Sequence, residues 1–170
     1  YGFLQENLPE FTCSDKALEE IYYFRAYTFA KHLKINRYNQ VILTEWLDTA
    51  SWQKETDGAI SCPVGHHISE LKWLKNGKQI ARDYINFWVN DPEDLYYYNN
   101  WFIYAVYDYA SQAGDMDFAY SIVDKLTAYF ELFESRHKAN CGIYKGVDNY
   151  DGMELSISGY GLRPTINAYV

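Results

Sequence analysis

Apolar residues recur every three or four positions from Leu18 onward, so that Leu18, Ile21, Tyr22, Arg25, Phe29, His32 and Leu33 fall on one face. That period predicts a helix opened by Ser14 or Asp15, with a broad buried face reaching about Lys34. Residues 1–13 lack the period and contain Pro9, and they read as an extended arm. Residues 35–62 are also aperiodic, apart from the strand-like run Val41-Ile-Leu-Thr44. The helical period returns over 68–75 and 79–89, interrupted at Asn76-Gly77, with Ile80, Tyr84, Phe87 and Trp88 marking the buried face of the second piece. Asp91-Pro92 stops that helix, and 93–100 reads as a tyrosine-rich loop. A helix over 101–113 turns at Gly114-Asp115 into the longest predicted helix, 116–138, with Phe118, Ile122, Leu126, Tyr129, Phe130 and Phe133 as its stripe. Arg163-Pro164 marks one more helix start. Short turns alternate with long loops, which predicts an all-α fold of helical hairpins whose long loops, 41–66, 91–101 and 142–164, gather around one cavity.

The 170 residues fit a single domain, and 48% hydrophobic residues suffice for a core. An aromatic share of 19%, with 18 Tyr and 5 Trp, is high for a globular domain; core filling accounts for most of these rings, and part of the surplus can stack on the apolar C–H faces of sugars. The net charge of −8 argues against nucleic acid or an anionic membrane as partner, since both demand a cationic face. No apolar run approaches the length of a membrane-spanning helix. Cys13, Cys62 and Cys141 are odd in number and scattered, with neither disulfide nor zinc spacing.

The stretch 146–165 looks least like scaffold. Gly146, Gly152, Gly159 and Gly161 allow a shaped backbone, and Asp148, Asp151 and Glu154 bring three carboxylates into one turn-rich segment. Carboxylates held close raise one another's pKa, which keeps a carboxylic acid protonated near neutrality. Arg163 ahead of Pro164 is held extended, with a guanidinium able to pair with one of them. Two other stretches add candidate chemistry. Glu45, Trp46, Asp48 and Trp52 combine rings and carboxylates in a way that grips a sugar. In Pro63-Val-Gly-His-His-Ile-Ser-Glu-Leu-Lys-Trp73, His66 and Glu70 share a helical face, but a zincin needs a second histidine where Glu70 stands, so no metal centre is expected.

Gly152-Met-Glu-Leu-Ser156, followed by Pro164-Thr-Ile-Asn-Ala-Tyr-Val170, resembles the segment of trehalase-like and glucosidase-like inverting glycoside hydrolases that carries a short acidic motif and then opens a Pro-led helix. It is similar in particular to the mannosylglycerate-hydrolase-like domain of that six-hairpin clan. The segment from Pro63 to Trp73 loosely resembles the trehalase-type Pro-Gly-Gly-Arg…Trp stretch, which lines the subsite next to the cleaved bond. The resemblance implies an (α/α)6 toroid of helical hairpins, with 1–170 as the N-terminal part of one catalytic domain that stops before ring closure. It also implies inverting, exo-acting hydrolysis of a glycosidic bond. The general acid is then Glu154 or Asp151, and the base comes from beyond residue 170, so that the piece alone is inactive. Trp46, Asp48, Trp52, His66, His67, Glu70, Trp73, Asn99, Trp101 and Arg163 are the expected substrate-binding set. No cofactor is implied; the partners are a carbohydrate substrate and the remainder of the same domain, in a periplasmic or secreted setting. A carbohydrate-binding helical domain without chemistry and a helical scaffold for protein partners are the alternatives.

Overall fold

The computed structural model describes residues 2–48, 58–96, 98–150, 155 and 159–170. The chain is all-α, with its core carried by helices and, among the described residues, two short antiparallel strand pairs between them.

The first residues are not an extended arm: Gly2–Asn7 forms helix α1. Proline forbids a helix from running through position 9 but not from ending before it, and Asn7 closes the last turn by donating from Nδ2 to the Phe3 carbonyl at 3.0 Å. The Lys75 amide then donates to the Asn7 carbonyl at 2.8 Å, tying α1 to the rest. Helix α2, Lys16–Lys31, is capped by Asp15, whose Oδ1 accepts from Ala17 N at 3.0 Å. Its expected broad buried face is not realised: no residue of the helix is fully buried, Leu18, Ile21 and Arg25 stand exposed, and Tyr22 and Phe29 are half-buried. The reason is size: α1 spans 6 residues and leaves a cavity of about 340 Å³ over Ile21, Tyr22, Ala26 and Phe29. Strands β1, Leu33–Ile35, and β2, Val41–Leu43, pair antiparallel with Lys34 opposite Ile42, and β2 buries Ile42 and Leu43 against the core.

Helices α3, Val64–Leu71, and α4, Lys78–Val89, flank the predicted break. The loop expected at 93–100 instead begins with a short helix α5, Pro92–Tyr96. Pro92 ends one helix and starts the next, a position where its missing N–H costs nothing, and Asp91 Oδ1 accepts from Asp94 N at 3.3 Å. Helix α6, Phe102–Ala113, ends at Gly114, whose φ of 61° is the left-handed conformation a helix terminus favours. The expected single helix over 116–138 is two, α7 at Met116–Ser121 and α8 at Val123–His137. Ser121 Oγ donates to the Phe118 carbonyl at 2.6 Å, taking up an acceptor at the turn where the ladder breaks. After a two-residue pairing of β3, Lys145–Gly146, with β4, Gly161–Leu162, the chain enters α9, Pro164–Tyr169, at the predicted Arg163-Pro164 start.

The helices repeat in direction. Gly65 lies against Trp101 and Lys72 Nζ reaches Asp108 Oδ2 at 2.5 Å, so α3 and α6 run parallel with one sequence offset. Arg82 meets Asp115, Asn90 meets Lys125 and Glu93 meets Arg136, so the stretch from α4 into α5 likewise runs parallel to that from α7 into α8. Helical hairpins laid side by side in one sense put the turns at 72–77 and 114–115 at one end of the stack and the long loops at the other. Tyr84, Trp88, Phe102, Tyr109, Ile68 and Leu71 fill the space between them and are essentially inaccessible.

Candidate active site

At the long-loop end, segments distant in sequence are joined by hydrogen bonds. Tyr98 N donates to Ser61 Oγ at 3.1 Å, and Asn99 N donates to the Tyr150 carbonyl at 2.7 Å. The rings of Tyr98 and Tyr150 meet edge-on at 5.7 Å. Parts of all three long loops therefore meet at one mouth.

Arg163 sits at the base of that mouth, only 3% exposed. Its backbone is extended (φ −112°, ψ 136°), as a residue before proline must be, and this sends the side chain back across the loop. Nη1 donates to Asp148 Oδ1 at 2.9 Å and to the Gly159 carbonyl. The guanidinium expected to find a carboxylate has found Asp148, whose negative charge is thereby offset. Asp148 is for that reason a poor source of the like-charge repulsion expected to raise the pKa of a neighbouring acid. The stem of Arg163 passes close to Gly146: a β-carbon there would lie 3.1 Å from Arg163 Cδ and 3.4 Å from Asn99 Nδ2. Asn99 is 4% exposed, and its Nδ2 has no hydrogen-bond partner among the described residues. A buried donor without an acceptor costs about 1–3 kcal/mol, and this one stands beside a buried cation.

One wall of the mouth is aromatic. The Trp101 indole lies across Gly65, where a β-carbon would come within 2.5 Å of it. The His66 ring meets Trp101 edge-on at 5.2 Å, and the Tyr104 ring lies 6.2 Å from it on the next turn of α6. Half-buried indole beside an exposed imidazole offers a ring face together with a polar edge, the combination that holds a sugar.

The structure thus brings His66, Asn99, Trp101 and Arg163 to one end. Other members of the predicted binding set point elsewhere. His67 turns inward and hydrogen-bonds the Tyr84 hydroxyl through Nδ1 at 2.8 Å. Burial, then the neighbouring His32, His66 and Arg25, lower its pKa to about 4, so it is a neutral packing group at pH 7. Glu70 pairs with Arg25, whose Nε lies 3.0 Å from Oε1, and Trp73 lines the apolar cavity under α1. Trp46 is half-buried, its carbonyl accepting from Lys34 Nζ at 3.1 Å and Thr44 Oγ1 at 2.9 Å, and Asp48 stands exposed nearby. Trp52, Asp151 and Glu154 lie outside the described residues. Leu155, next to Glu154, is exposed with φ 56°, an uncommon conformation for a branched side chain and a sharp bend at that point. Among the described residues, no three His, Cys, Asp or Glu side chains are grouped to hold a metal ion.

Three participants were not singled out in the sequence. Asp148 was one acid among three, and only its distance to Arg163 identifies it. Ser61 gives no signal in a serine-cysteine-proline run. Gly65 does carry one: a glycine inside a helical pattern marks a place where another group comes close.

A family model described as "Mannosylglycerate hydrolase MGH1-like glycoside hydrolase domain" matches residues 56–169. Among solved structures, the chain is similar to a protein titled "Sialidase", at 30% sequence identity and a TM-score of 0.91. That likeness covers 99% of this chain and 16% of the other, so the chain spans about a sixth of its relative's length. No curated protein matches it in sequence.

Proposed function

Because the chain belongs to the mannosylglycerate hydrolase MGH1-like glycoside hydrolase family, we propose that it forms the acid-bearing part of an inverting, exo-acting glycosidase site, with Glu154 as general acid and Asp151 as the alternative donor. The parallel hairpins are the first half of an (α/α)6 toroid, and the general base comes from a part of the protein outside these 170 residues. Inversion needs a carboxylic acid on the leaving oxygen and a carboxylate activating water, about 6.5–9.5 Å apart on opposite faces of the sugar. The segment 146–163 supplies the first of these.

The observation that carries this reading is the Arg163–Asp148 pair under the glycine-bent loop. It clamps the two ends of the segment bearing Asp151 and Glu154 to the start of α9, on the side of the stack where His66, Asn99 and Trp101 also lie. The left-handed bend at Leu155 supports it further, since backbone held in sparsely populated conformations concentrates at functional loops. In this reading, Trp101 stacks on the sugar ring. His66 meets a hydroxyl, the buried Asn99 supports the loop from below, and Arg163 acts as a positioning residue, holding the loop without touching the reacting atoms.

The test uses the full-length protein. Glu154→Gln keeps the shape and removes the proton, so kcat should fall by about a thousandfold or more while substrate affinity stays within a few fold. Asp151→Asn should cost far less. The reverse ranking would move the acid to Asp151, and unchanged turnover in both variants would overturn the assignment.

A further inference from the structure

A second cavity, of about 540 Å³, lies between the β1–β2 turn and the junction of α4 with α5, and its lining includes none of Ser61, His66, Asn99, Trp101, Tyr150 and Arg163. The turn that forms one side is held rigid from within. Asn36 is buried, and its Oδ1 accepts from Tyr38 N at 3.0 Å and from Gln40 N at 2.9 Å. Its Nδ2 donates to Gln40 Oε1 at 3.0 Å, and Asn39 takes the left-handed conformation, φ 61°, that closes the turn. The effect is to display Tyr38, 68% exposed, with the Arg37 guanidinium 4.9 Å over its ring. Phe87, Trp88, Asn90, Asp91 and Asp94 complete the lining from α4 and α5.

An exposed tyrosine held in place, ringed by planar amides and carboxylates, selects among ligand classes. Anions are repelled by Asp91 and Asp94. A cation attracted by those acids finds the tyrosine face already taken by Arg37, and Lys125 Nζ bonded to Asn90 Oδ1 at 2.6 Å. A neutral polyol meets neither obstacle: its C–H faces suit the aromatic rings and its hydroxyls can donate to the Asp91 carboxylate and accept from the Asn90 amide. We infer that this cavity is a second carbohydrate site, which binds a neutral oligosaccharide stretch away from the bond being cleaved and raises the affinity for long glycans over short ones. Only the ligand class rests on the glycosidase reading; the site itself rests on the turn and the cavity. Its volume falls within the range of about 300–1,000 Å³ usual for small-ligand pockets and admits more than one sugar ring.

The experiment titrates mannotetraose and maltotetraose into the full-length protein by calorimetry, and measures turnover of a small aryl glycoside in parallel. Tyr38→Ala should weaken binding of at least one tetrasaccharide by about tenfold or more while leaving aryl-glycoside kcat and KM unchanged. Tyr38→Phe should restore most of the affinity. Because Tyr38 is exposed, its truncation removes little packing, and a thermal melt within a few degrees of the parent confirms that the fold is intact. Tetrasaccharide affinity within twofold of the parent in Tyr38→Ala overturns the site, as does displacement of the sugar by methylammonium, which would make it a cation site. Absent aryl-glycoside turnover with Tyr38-dependent sugar binding would sink the enzymatic reading and leave this one standing. The opposite pattern would do the reverse.

Discussion

The two ends of the helical stack solve the same problem, a chain reversal between helices, in opposite ways. At the short-turn end the buried carboxylate of Asp115 is fully matched. Arg82 holds Asp115 through two bonds, Nε to Oδ2 at 2.9 Å and Nη2 to Oδ1 at 2.5 Å, and Tyr109 donates its hydroxyl to the same carboxylate at 2.8 Å. At the long-loop end, Asn99 keeps a buried amide without an acceptor among the described residues, a non-glycine residue occupies a left-handed bend, and a buried arginine pairs with Asp148. Saturated contacts at one end and unmet ones at the other are what a scaffold and a site require respectively. The contrast predicts that substitutions at the mouth should move activity first, and those at the short turns stability alone.

The largest effect is expected at Arg163. Arg163→Ala leaves Asp148 in a nearly buried position with its cation gone, and loss of one partner from such a pair costs about 3–5 kcal/mol. The loop it clamps should loosen, so kcat should drop along with the thermal midpoint. Arg163→Ala together with Asp148→Ala removes both charges and should recover much of the stability but not the activity. Denaturant melts on the single and double variants check this, and a double variant no more stable than the single would refute the clamp.

Acid should reach the mouth before it reaches the short turns. His67 has a pKa near 4 in the folded chain against about 6.5 when unfolded, so the unfolded state binds the extra proton. Its neutral form is accommodated in full above pH 6.5, and up to about 3 kcal/mol is lost as pH falls from 6.5 to 4. His137 has the same sign, being lowered by burial, and its Nδ1 donates to the Lys145 carbonyl at 2.7 Å beside Gly146. Asp115 is lowered too, by Arg82, but for a carboxylate the contribution persists until pH falls below the ordinary value of 3.8. Hydrogen-exchange protection around α3 and 145–146 should therefore weaken between pH 6.5 and 4, while that of 109–115 holds until lower pH. Simultaneous loss of both regions would contradict the comparison.

At the short-turn end, Asp115→Ala strips the arginine and the tyrosine hydroxyl of their shared acceptor, for an expected loss of about 2–3 kcal/mol. Glycosidase kcat in the full-length protein, measured well below the melting point, should stay within twofold. A large fall in kcat at unchanged stability would show that the two ends are not separable.

Much of this contrast could be read from sequence, and the unread part has a common cause. Helix starts at Asp15 and Pro164, the strand at 41–43 and the turn at Gly114 are set by neighbours within four residues, and their signals survived folding. The apolar stripe of α2 was legible as a face in need of a partner, but not that α1 would be too short to cover it and would leave Phe24, off the predicted stripe, 67% exposed beside Leu18 and Ile21. Periodicity reports demand and is silent on supply. The break at Ile122 was missed because a serine's competition for a carbonyl does not disturb the hydrophobic period. In the candidate site, the Arg163 pairing was readable because Arg-Pro fixes its own backbone. That Glu70 is committed to Arg25, 45 positions away, was not, because such a pair depends on how α2 and α3 are placed.

The smallest effects give the sharpest comparison, because one substitution can be made at both ends. Gly114→Ala meets no atom within 4 Å, so its cost is conformational only, about 1–2 kcal/mol for forcing a β-carbon into the left-handed region. Gly65→Ala has ordinary helical geometry, where alanine gains about 1 kcal/mol over glycine, but its methyl would stand 2.5 Å from the Trp101 indole and must push that ring aside. Gain and displacement work against each other in stability, whereas a shifted stacking ring has nothing to offset it in binding. Gly114→Ala should thus lower the melting temperature with KM unchanged, and Gly65→Ala should raise KM several-fold with a melting temperature close to the parent's. If Gly65→Ala binds substrate normally, Trp101 is packing rather than platform, and the aromatic wall of the mouth loses its assigned role.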